Sequence, residues 1–241
     1  MASFDAESKA EIDAAGRSVR HPLTRALLVL TLTTGLIDAV SYLGLGHVFT
    51  ANMTGNIVFL GFGIAGAGGL PVVSPLVSLA AFLTGAGAGG VLGSHVARSP
   101  REHLSLPLLV EATLVGATAL LVATVDVDPN HFSGDAVIAM LALAMGMRNA
   151  TVRRLAIPDM TTTVLTMTLT GLAADSTAGG GTGAGSIRRT AAVAAMLAGA
   201  VAGALMLKTS LFLPLAAAAA LAAATWLSYI PRRELSGRRS A

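Results

Sequence analysis

Asp38 is the residue of this sequence that most clearly calls for a chemical role. It lies near the middle of a long apolar stretch, Ala26 to Gly46. If that stretch crosses a membrane, burying a carboxylate there costs at least about 2.5 kcal/mol, so the group must be protonated, paired or directed into a polar cavity. Asp38 is therefore a candidate proton relay or solute ligand. The alternative is a structural partner for Arg148 or for a helix terminus.

Arg148 and Asn149 occupy the corresponding place in a later apolar stretch. Arg148 lies nearer the end of its stretch, which favours a side chain that reaches the membrane interface or pairs with Asp38 over one that binds solute directly. Glu111 lies near the start of another apolar stretch and is predicted to be an interfacial anchor. A second buried carboxylate at Glu111 is the alternative.

Two polar sequences each open a short apolar segment. In the first, Asn52 and Thr54 are candidate N-caps, and in the second Pro158 precedes a candidate cap at Asp159. A helix that begins inside a membrane protein exposes backbone N–H groups, which bind anions or orient polar ligands. The polar groups could instead only satisfy the helix ends. The candidate ligands of this central site are Asn52, Thr54, Asn56, Asp159, Thr161, Thr162 and Thr163.

The elements that position these residues are predicted from composition. Of 241 residues, 54% are apolar and only 12% are charged, and cysteine is absent. This composition favours an all-α polytopic membrane protein and excludes disulfides, thiolate metal sites and catalytic cysteines. Cutting the chain at polar and Gly/Pro-rich points gives eight apolar segments. They are Ala26 to Gly46, Asn52 to Gly68, Val72 to Val96, Leu106 to Val125, Ala136 to Val152, Met160 to Ala174, Thr190 to Leu207, and Leu211 to Ile230.

The distribution of lysine and arginine decides how many of these segments cross the membrane. If the second and sixth segments enter and return on the same side, every one of the 16 basic residues except Lys208 lies on the cytoplasmic side. Eight ordinary spans would place many more of them outside. The sequence therefore predicts a helix bundle of six spans plus two re-entrant or broken short helices, with both termini cytoplasmic. Eight spans stay as the alternative.

The two halves of the chain resemble each other at an offset of about 110 residues. Gly35 to Ala39 matches Gly146 to Ala150, Asn52 to Thr54 matches Asp159 to Thr161, and the glycine pair Gly85/Gly89 matches Gly199/Gly203 as helix-packing seams. Three spans per half is an odd number, so the sequence predicts an inverted 3+3 repeat. The predicted organisation is a flexible cytoplasmic tail (1–25), a first repeat (26–125), an external acidic loop (126–135), a second repeat (136–230) and a basic cytoplasmic tail (231–241).

Motifs typical of enzymes are sparse. The five histidines show no H-E-x-x-H spacing and no phosphate-binding loop is present, so we expect no enzyme, no metal and no cofactor. The basic residues line the membrane edge, which indicates contact with membrane lipid and no nucleic-acid partner. The sequence leaves open whether the chain forms a homo-oligomer.

Two long motifs resemble the YoaK family, the DUF1275 membrane proteins of bacteria. The first comprises Gly35, Asp38, Ala39 and Ser41 to Leu43, followed by VFTANMTGN at 48–56. The second comprises Ala144 to Gly146, Asn149 and Ala150, followed by RRLAIPDMTTTVLT at 153–166 and TLTGLAAD at 168–175. The resemblance covers about residues 25 to 230 and implies a multi-pass bacterial membrane protein. It adds no activity or substrate.

The repeat, the two polar openings and Asp38 favour a small secondary transporter or channel of the plasma membrane. Its expected solute is small and polar or anionic and binds near the midplane between the two repeats. A non-transporting membrane scaffold, lipid-binding protein or complex subunit is the alternative function.

Overall fold

The computed structural model describes residues 6–95, 99–157 and 160–229, and these residues fold entirely into helices and connecting links. The first half of the chain contains α1 (Ala6–Arg17), α2 (Pro22–Ala39) continuing into a π turn (Val40–Gly44), α3 (Met53–Ile64), α4 (Val73–His95) and α5 (Pro100–Thr124). The second half contains α6 (Phe132–Leu155), α7 (Thr166–Ala174), α8 (Ser186–Leu207) and α9 (Phe212–Tyr229).

Six helices are long and apolar enough to cross a membrane. They are α2 with its π turn, α4, α5, α6, α8 and α9, and each has 18 or more residues and a high mean hydropathy. In contrast, α3 has 12 residues and α7 has 9, which at about 1.5 Å per residue covers only about 18 and 14 Å. A hydrocarbon core of about 30 Å is beyond the reach of either. The prediction of six spans and two short helices is confirmed.

The N-terminal segment is more ordered than the sequence predicts. Where we expect a flexible tail, residues Ala6–Arg17 form α1. This helix packs on the bundle, because Thr24 Oγ1 of α2 donates a hydrogen bond of 2.8 Å to the carbonyl oxygen of Ala15, and Arg188 of α8 donates to that of Gly16. Apolar Ala15 is fully buried in this contact. The predicted basic tail, 231–241, lies outside the described residues.

Helices α4 and α6 cross where glycine allows their backbones to touch. A Cβ atom added at Gly85 of α4 would collide with the carbonyl oxygen of Leu143, and one added at Gly146 of α6 would collide with that of Phe82. Small residues at a crossing allow this close approach inside a membrane, where dispersion replaces the hydrophobic effect as the force between helices.

Helices α2 and α8 cross in the same way. A Cβ atom at Gly35 of α2 would meet the carbonyl oxygen of Met196, and one at Gly199 of α8 would meet that of Leu32. The predicted packing seams at Gly85 and Gly199 are therefore confirmed. Each crossing joins one half of the chain to the other. Helix α4 of the first half packs on α6 of the second, and α8 of the second half packs on α2 of the first.

The α4–α6 crossing gives a matched test of packing. We expect Gly85→Ala to lower the free energy of unfolding by about 1–3 kcal/mol, the usual cost of overpacking a close contact. Gly87→Ala on the same helix has no atom within 4 Å of its new Cβ, so its expected effect is neutral to slightly stabilising. Unfolding in detergent with increasing SDS measures both variants. Equal losses at the two positions would contradict the assigned crossing.

Candidate functional site

A buried ion pair joins Arg148 of α6 to Glu111 of α5. Nε of Arg148 donates to Oε2 of Glu111 at 2.7 Å and Nη2 donates to Oε1, with both side chains 2% exposed. The predictions that Arg148 reaches the interface or pairs with Asp38, and that Glu111 is an interfacial anchor, are wrong. Helix α5 begins at Pro100 rather than at the predicted Leu106, so Glu111 lies about three turns into the span.

Helix α2 supplies the remaining acceptors of the Arg148 guanidinium. Nη1 donates to the carbonyl oxygen of Leu30 at 2.7 Å and to Oγ1 of Thr34 at 2.6 Å, and Nη2 donates to Oγ1 of Thr33 at 2.8 Å. A charged group inside a protein is tolerated when its hydrogen bonds are satisfied in this way. Arg148 therefore fastens α2, α5 and α6 together. The sequence analysis did not identify Thr33 and Thr34 as partners of Arg148, because a hydroxyl group in an apolar helix gives no sequence pattern that indicates what it binds.

Asp38 lies on α2, immediately before the π turn. The side chain is partly buried, and its Oδ1 atom is buried without a hydrogen-bond partner in the described part of the chain. The backbone of Ala51 and the positive charge of Arg148 both act on the carboxyl group from nearby. Since π turns within helices are frequent at functional sites, the environment of Asp38 fits a solute or proton site.

The first link, residues 45–52 between the π turn and α3, is fastened by Asn56. The backbone N–H of Phe49 donates to Oδ1 of Asn56 at 2.8 Å, and Nδ2 of Asn56 donates to the carbonyl oxygen of Phe49 at 2.6 Å and to Oγ of Ser78 at 3.1 Å. Every polar atom of the Asn56 amide is thus engaged. The structure gives this predicted ligand an architectural role, holding the first link against α4.

The other two candidates at this opening lie apart from that network. Asn52 occupies the N-cap of α3 but makes no side-chain capping bond. Thr54 is exposed. Asn52 therefore holds the predicted N-cap position without a capping bond from its side chain, and Thr54 lies inside α3 instead of capping it.

In the second link, residues 156–165 between α6 and α7, two of the described residues lie in the left-handed region. Ala156 has φ 51° and Thr162 has φ 62°, and a β-branched residue in that region is strained. Thr162 is buried, and its Oγ1 atom has no hydrogen-bond partner among the described residues. Strain combined with an unsatisfied buried hydroxyl is typical of a functional segment.

The neighbours of Thr162 hold the second link in place. Oγ1 of Thr163 donates to Oδ1 of Asn149 at 2.5 Å, and Oγ1 of Thr161 donates to the carbonyl oxygen of Val164 at 2.5 Å. Helix α7 begins only at Thr166, so the predicted helix start at Met160, and the match of Asn52–Thr54 to residues 159–161, are wrong. The three threonines form an irregular link instead of a helix opening. Asp159 lies outside the described residues.

A cavity of about 610 Å³ opens beside the second link. Polar groups from Asn149, Arg153 and Thr161 line it together with apolar side chains of α4 and the link, including Phe82, Met160 and Val164. Arg153 is exposed and makes no hydrogen bond or ion pair with the described part of the chain. The volume suits a small organic ligand.

The first link packs on aromatic rings, and a cavity of about 530 Å³ opens beside its residues Gly46 and His47. Tyr42 stacks on Phe49 with ring centroids 5.0 Å apart, Phe49 stacks on Phe59 at 6.0 Å, and His47 meets the edge of Tyr42 at 5.1 Å. We name Tyr42, Phe49 and Phe59 the aromatic stack. The described residues contain no cluster of three His, Asp or Glu side chains that could hold a metal ion.

Comparisons with known proteins assign this chain to a family. The family model described as "Protein of unknown function (DUF1275)" matches residues 26–228. The UPF0700 transmembrane protein YoaK of Bacillus subtilis (strain 168) is 34% identical over 155 residues, which span 62% of this chain and 65% of that relative. No solved structure matches the chain significantly. The match includes most or all of each of the six long helices, and the chain belongs to the DUF1275 family of integral membrane proteins.

Proposed function

We propose that this protein is a small secondary transporter or channel of the plasma membrane, with both termini cytoplasmic and a site for a small polar or anionic solute. One observation carries the proposal. The cavity beside the second link is lined by Arg153 and Met160, whereas Tyr42 and Phe49, which lie 111 positions earlier, pack together in the aromatic stack.

The correspondence between α2 and α6 follows an offset of 111 residues. Gly35 and Gly146 make equivalent backbone contacts, Asn149 binds the link that follows its helix, and the backbone of Ala51 in the other link lies near Asp38. At the same offset, Tyr42 and Phe49 of the stack correspond to Arg153 and Met160, and both of the latter line the cavity. Two related halves held in different conformations support an inverted repeat.

The packing of the long helices supports the same relation. Helix α4 packs on α6 as α8 packs on α2, and α5 packs on α6 as α9 packs on α2. Exchanging the conformations of the two halves would open the first link to the external side and fill the second. Transporters with inverted repeats alternate their access in this manner, by moving one repeat against the other around a fixed site.

In this mechanism Asp38 couples the movement to a proton or binds the solute. Its buried Oδ1 has no partner among the described residues, so a proton, a cation or a solute donor would satisfy it. The Arg148–Glu111 pair is saturated by contrast and keeps the surrounding helices fixed. The support for this role is thus an unsatisfied carboxylate oxygen near a saturated ion pair.

Proteoliposome flux tests this role of Asp38. With a pH gradient and a panel of small organic acids and neutral polar solutes, we expect solute-dependent flux for the wild type and at least a ~10-fold loss for Asp38→Asn, because charge at the coupling position is removed. Asp128→Asn, on a side chain 51% exposed in the loop between α5 and α6, is the control and should leave flux unchanged. Absence of flux for every solute, with both variants folded, would favour the non-transporting scaffold.

A further inference from the structure

The cavity beside the second link has a polar end and an apolar body. Arg153 is the only charged residue among the described side chains that line it, and Asn149 and Thr161 supply its other polar groups. Phe82, Met160 and Val164 line the apolar part. A ligand that matches both regions carries an acidic group at one end and a hydrocarbon body at the other.

Arg153 is poised to bind such an acidic group. Its neighbour in sequence, Arg154, lies toward Gly93 and His103 and does not line the cavity. The described chain gives the Arg153 guanidinium no ion-pair or hydrogen-bond partner, unlike Arg148 and Arg189, which bind Glu111 and Asp175. A guanidinium whose donors meet no acceptor among the described residues can bind a carboxylate in two parallel hydrogen bonds.

We propose that the cavity binds an amphipathic organic carboxylate, with the carboxylate on Arg153 and the hydrocarbon body against the apolar wall. The inference rests on the proposed function and gives the solute its chemical class. A cavity of about 610 Å³ lies within the usual range of about 300–1,000 Å³ for small-molecule sites. The second link, strained at Thr162, forms one wall, so binding also reaches the segment that moves in alternating access.

The test compares three ligands that share a phenyl ring but differ in charge, and a fourth that has the charge without the ring. Phenylacetate, phenylacetamide and 2-phenylethylamine present the same ring with an anionic, a neutral and a cationic end, and acetate presents the anion without the ring. Calorimetric titration of the detergent-solubilised protein should give the strongest binding for phenylacetate. We expect at least a ~10-fold weaker affinity for phenylacetamide and for acetate, since each lacks one of the two matching regions.

Two neighbouring arginines provide the matched variants. Arg153→Gln should weaken phenylacetate binding by roughly 10- to 100-fold, in line with the loss of a charge-assisted pair, and should remove the preference over phenylacetamide. Arg153→Lys should recover part of the affinity through its charge. Arg154→Gln should bind as the wild type does. Equal losses in the Arg153 and Arg154 variants would overturn the assignment of the binding charge.

The outcome also separates a soluble carboxylate from a lipid headgroup. In nanodiscs of neutral lipid, phenylacetate should bind as in detergent. If phosphatidylglycerol stabilises the wild type but not Arg153→Gln, and phenylacetate has no effect, the occupant is an anionic lipid and the proposal is overturned. If none of the four probes binds while flux of other solutes persists, the substrate class is wrong and the transport function stands.

Discussion

Glu111→Ala is expected to lower the free energy of unfolding by about 3–5 kcal/mol, among the largest losses available to a single substitution. The reason is that Arg148, 3% exposed, would keep its charge without the carboxylate that now receives two of its hydrogen bonds. Its remaining acceptors on α2 are uncharged. Helix α5 would lose its two hydrogen bonds to Arg148 of α6, while the bonds from Arg148 to α2 would remain.

Two controls isolate the buried charge as the cause. The double variant Glu111→Leu/Arg148→Met removes both charges and should recover most of the lost stability, as replacing a buried pair by apolar residues generally does. Asp175→Ala breaks a pair whose carboxylate side chain is 56% exposed and should cost at most about 1 kcal/mol. Unfolding in detergent measures all three. A double variant as unstable as Glu111→Ala would contradict this account of the ionic centre.

The long helices could be predicted because hydrophobicity and length are local properties of the sequence. A run of about 20 apolar residues must be helical in a membrane, so the six spans followed from composition, and the placement of lysine and arginine separated the two short segments. The ends of the helices were less accurate. Helix α5 extends to Pro100 through a polar stretch, since the Ser99 hydroxyl accepts a hydrogen bond from the backbone N–H of Glu102 and caps it.

The partners within the site depend on how helices pack, which this sequence does not encode in a local pattern. Arg148 and Glu111 are 37 positions apart, and Arg148 and Leu30 are 118 apart. Helices that are apolar on all sides have no hydrophobic face from which a neighbour could be inferred. A carboxylate within a span generally needs a partner, so the sequence did indicate a buried ion pair at Glu111. The prediction of an interfacial anchor was wrong because it placed Glu111 too close to the end of its helix.

The structure of the two links could be predicted only in part from the sequence. The repeated polar openings marked residues 52–56 and 159–163 as special, yet the match between them was displaced because α3 begins at Met53 and α7 at Thr166. Thr162 adopts a positive φ that no sequence rule predicts for threonine. In the proposed repeat, the offset of 111 residues between the stack and the cavity rests on the helix contacts of Gly35 and Gly146 instead.

The second large expected effect concerns access to Thr50 and Thr161, which the proposed repeat makes equivalent at an offset of 111 residues. Thr161 is exposed and lines the cavity, whereas Thr50 is fully buried next to Phe49 of the aromatic stack. If the halves exchange conformations, Thr50 becomes exposed to the external side when Thr161 is buried. Removing the stack by Tyr42→Ala should favour that state, because Tyr42 contacts Phe49 and Phe59.

Single cysteines report this exchange without background, because the chain has no native cysteine. Thr50→Cys and Thr161→Cys are nearly isosteric changes. Ala67→Cys, after α3, and Thr182→Cys, after α7, are exposed markers, and six spans place them on the external and cytoplasmic sides. Labelling of both markers from the cytoplasmic side would favour eight spans.

The most direct test of alternating access is the rate at which a membrane-impermeant maleimide labels Cys at position 50 from the external side, in cells, with and without Tyr42→Ala. We expect labelling roughly 10- to 1,000-fold slower than at Ala67→Cys, since minor conformations are typically about 0.1–10% populated. Tyr42→Ala should accelerate it and slow the cytoplasmic labelling of Thr161→Cys. Position 50 unlabelled in both backgrounds, with position 161 labelled at a constant rate, would contradict the account and leave a protein with a fixed, one-sided cavity.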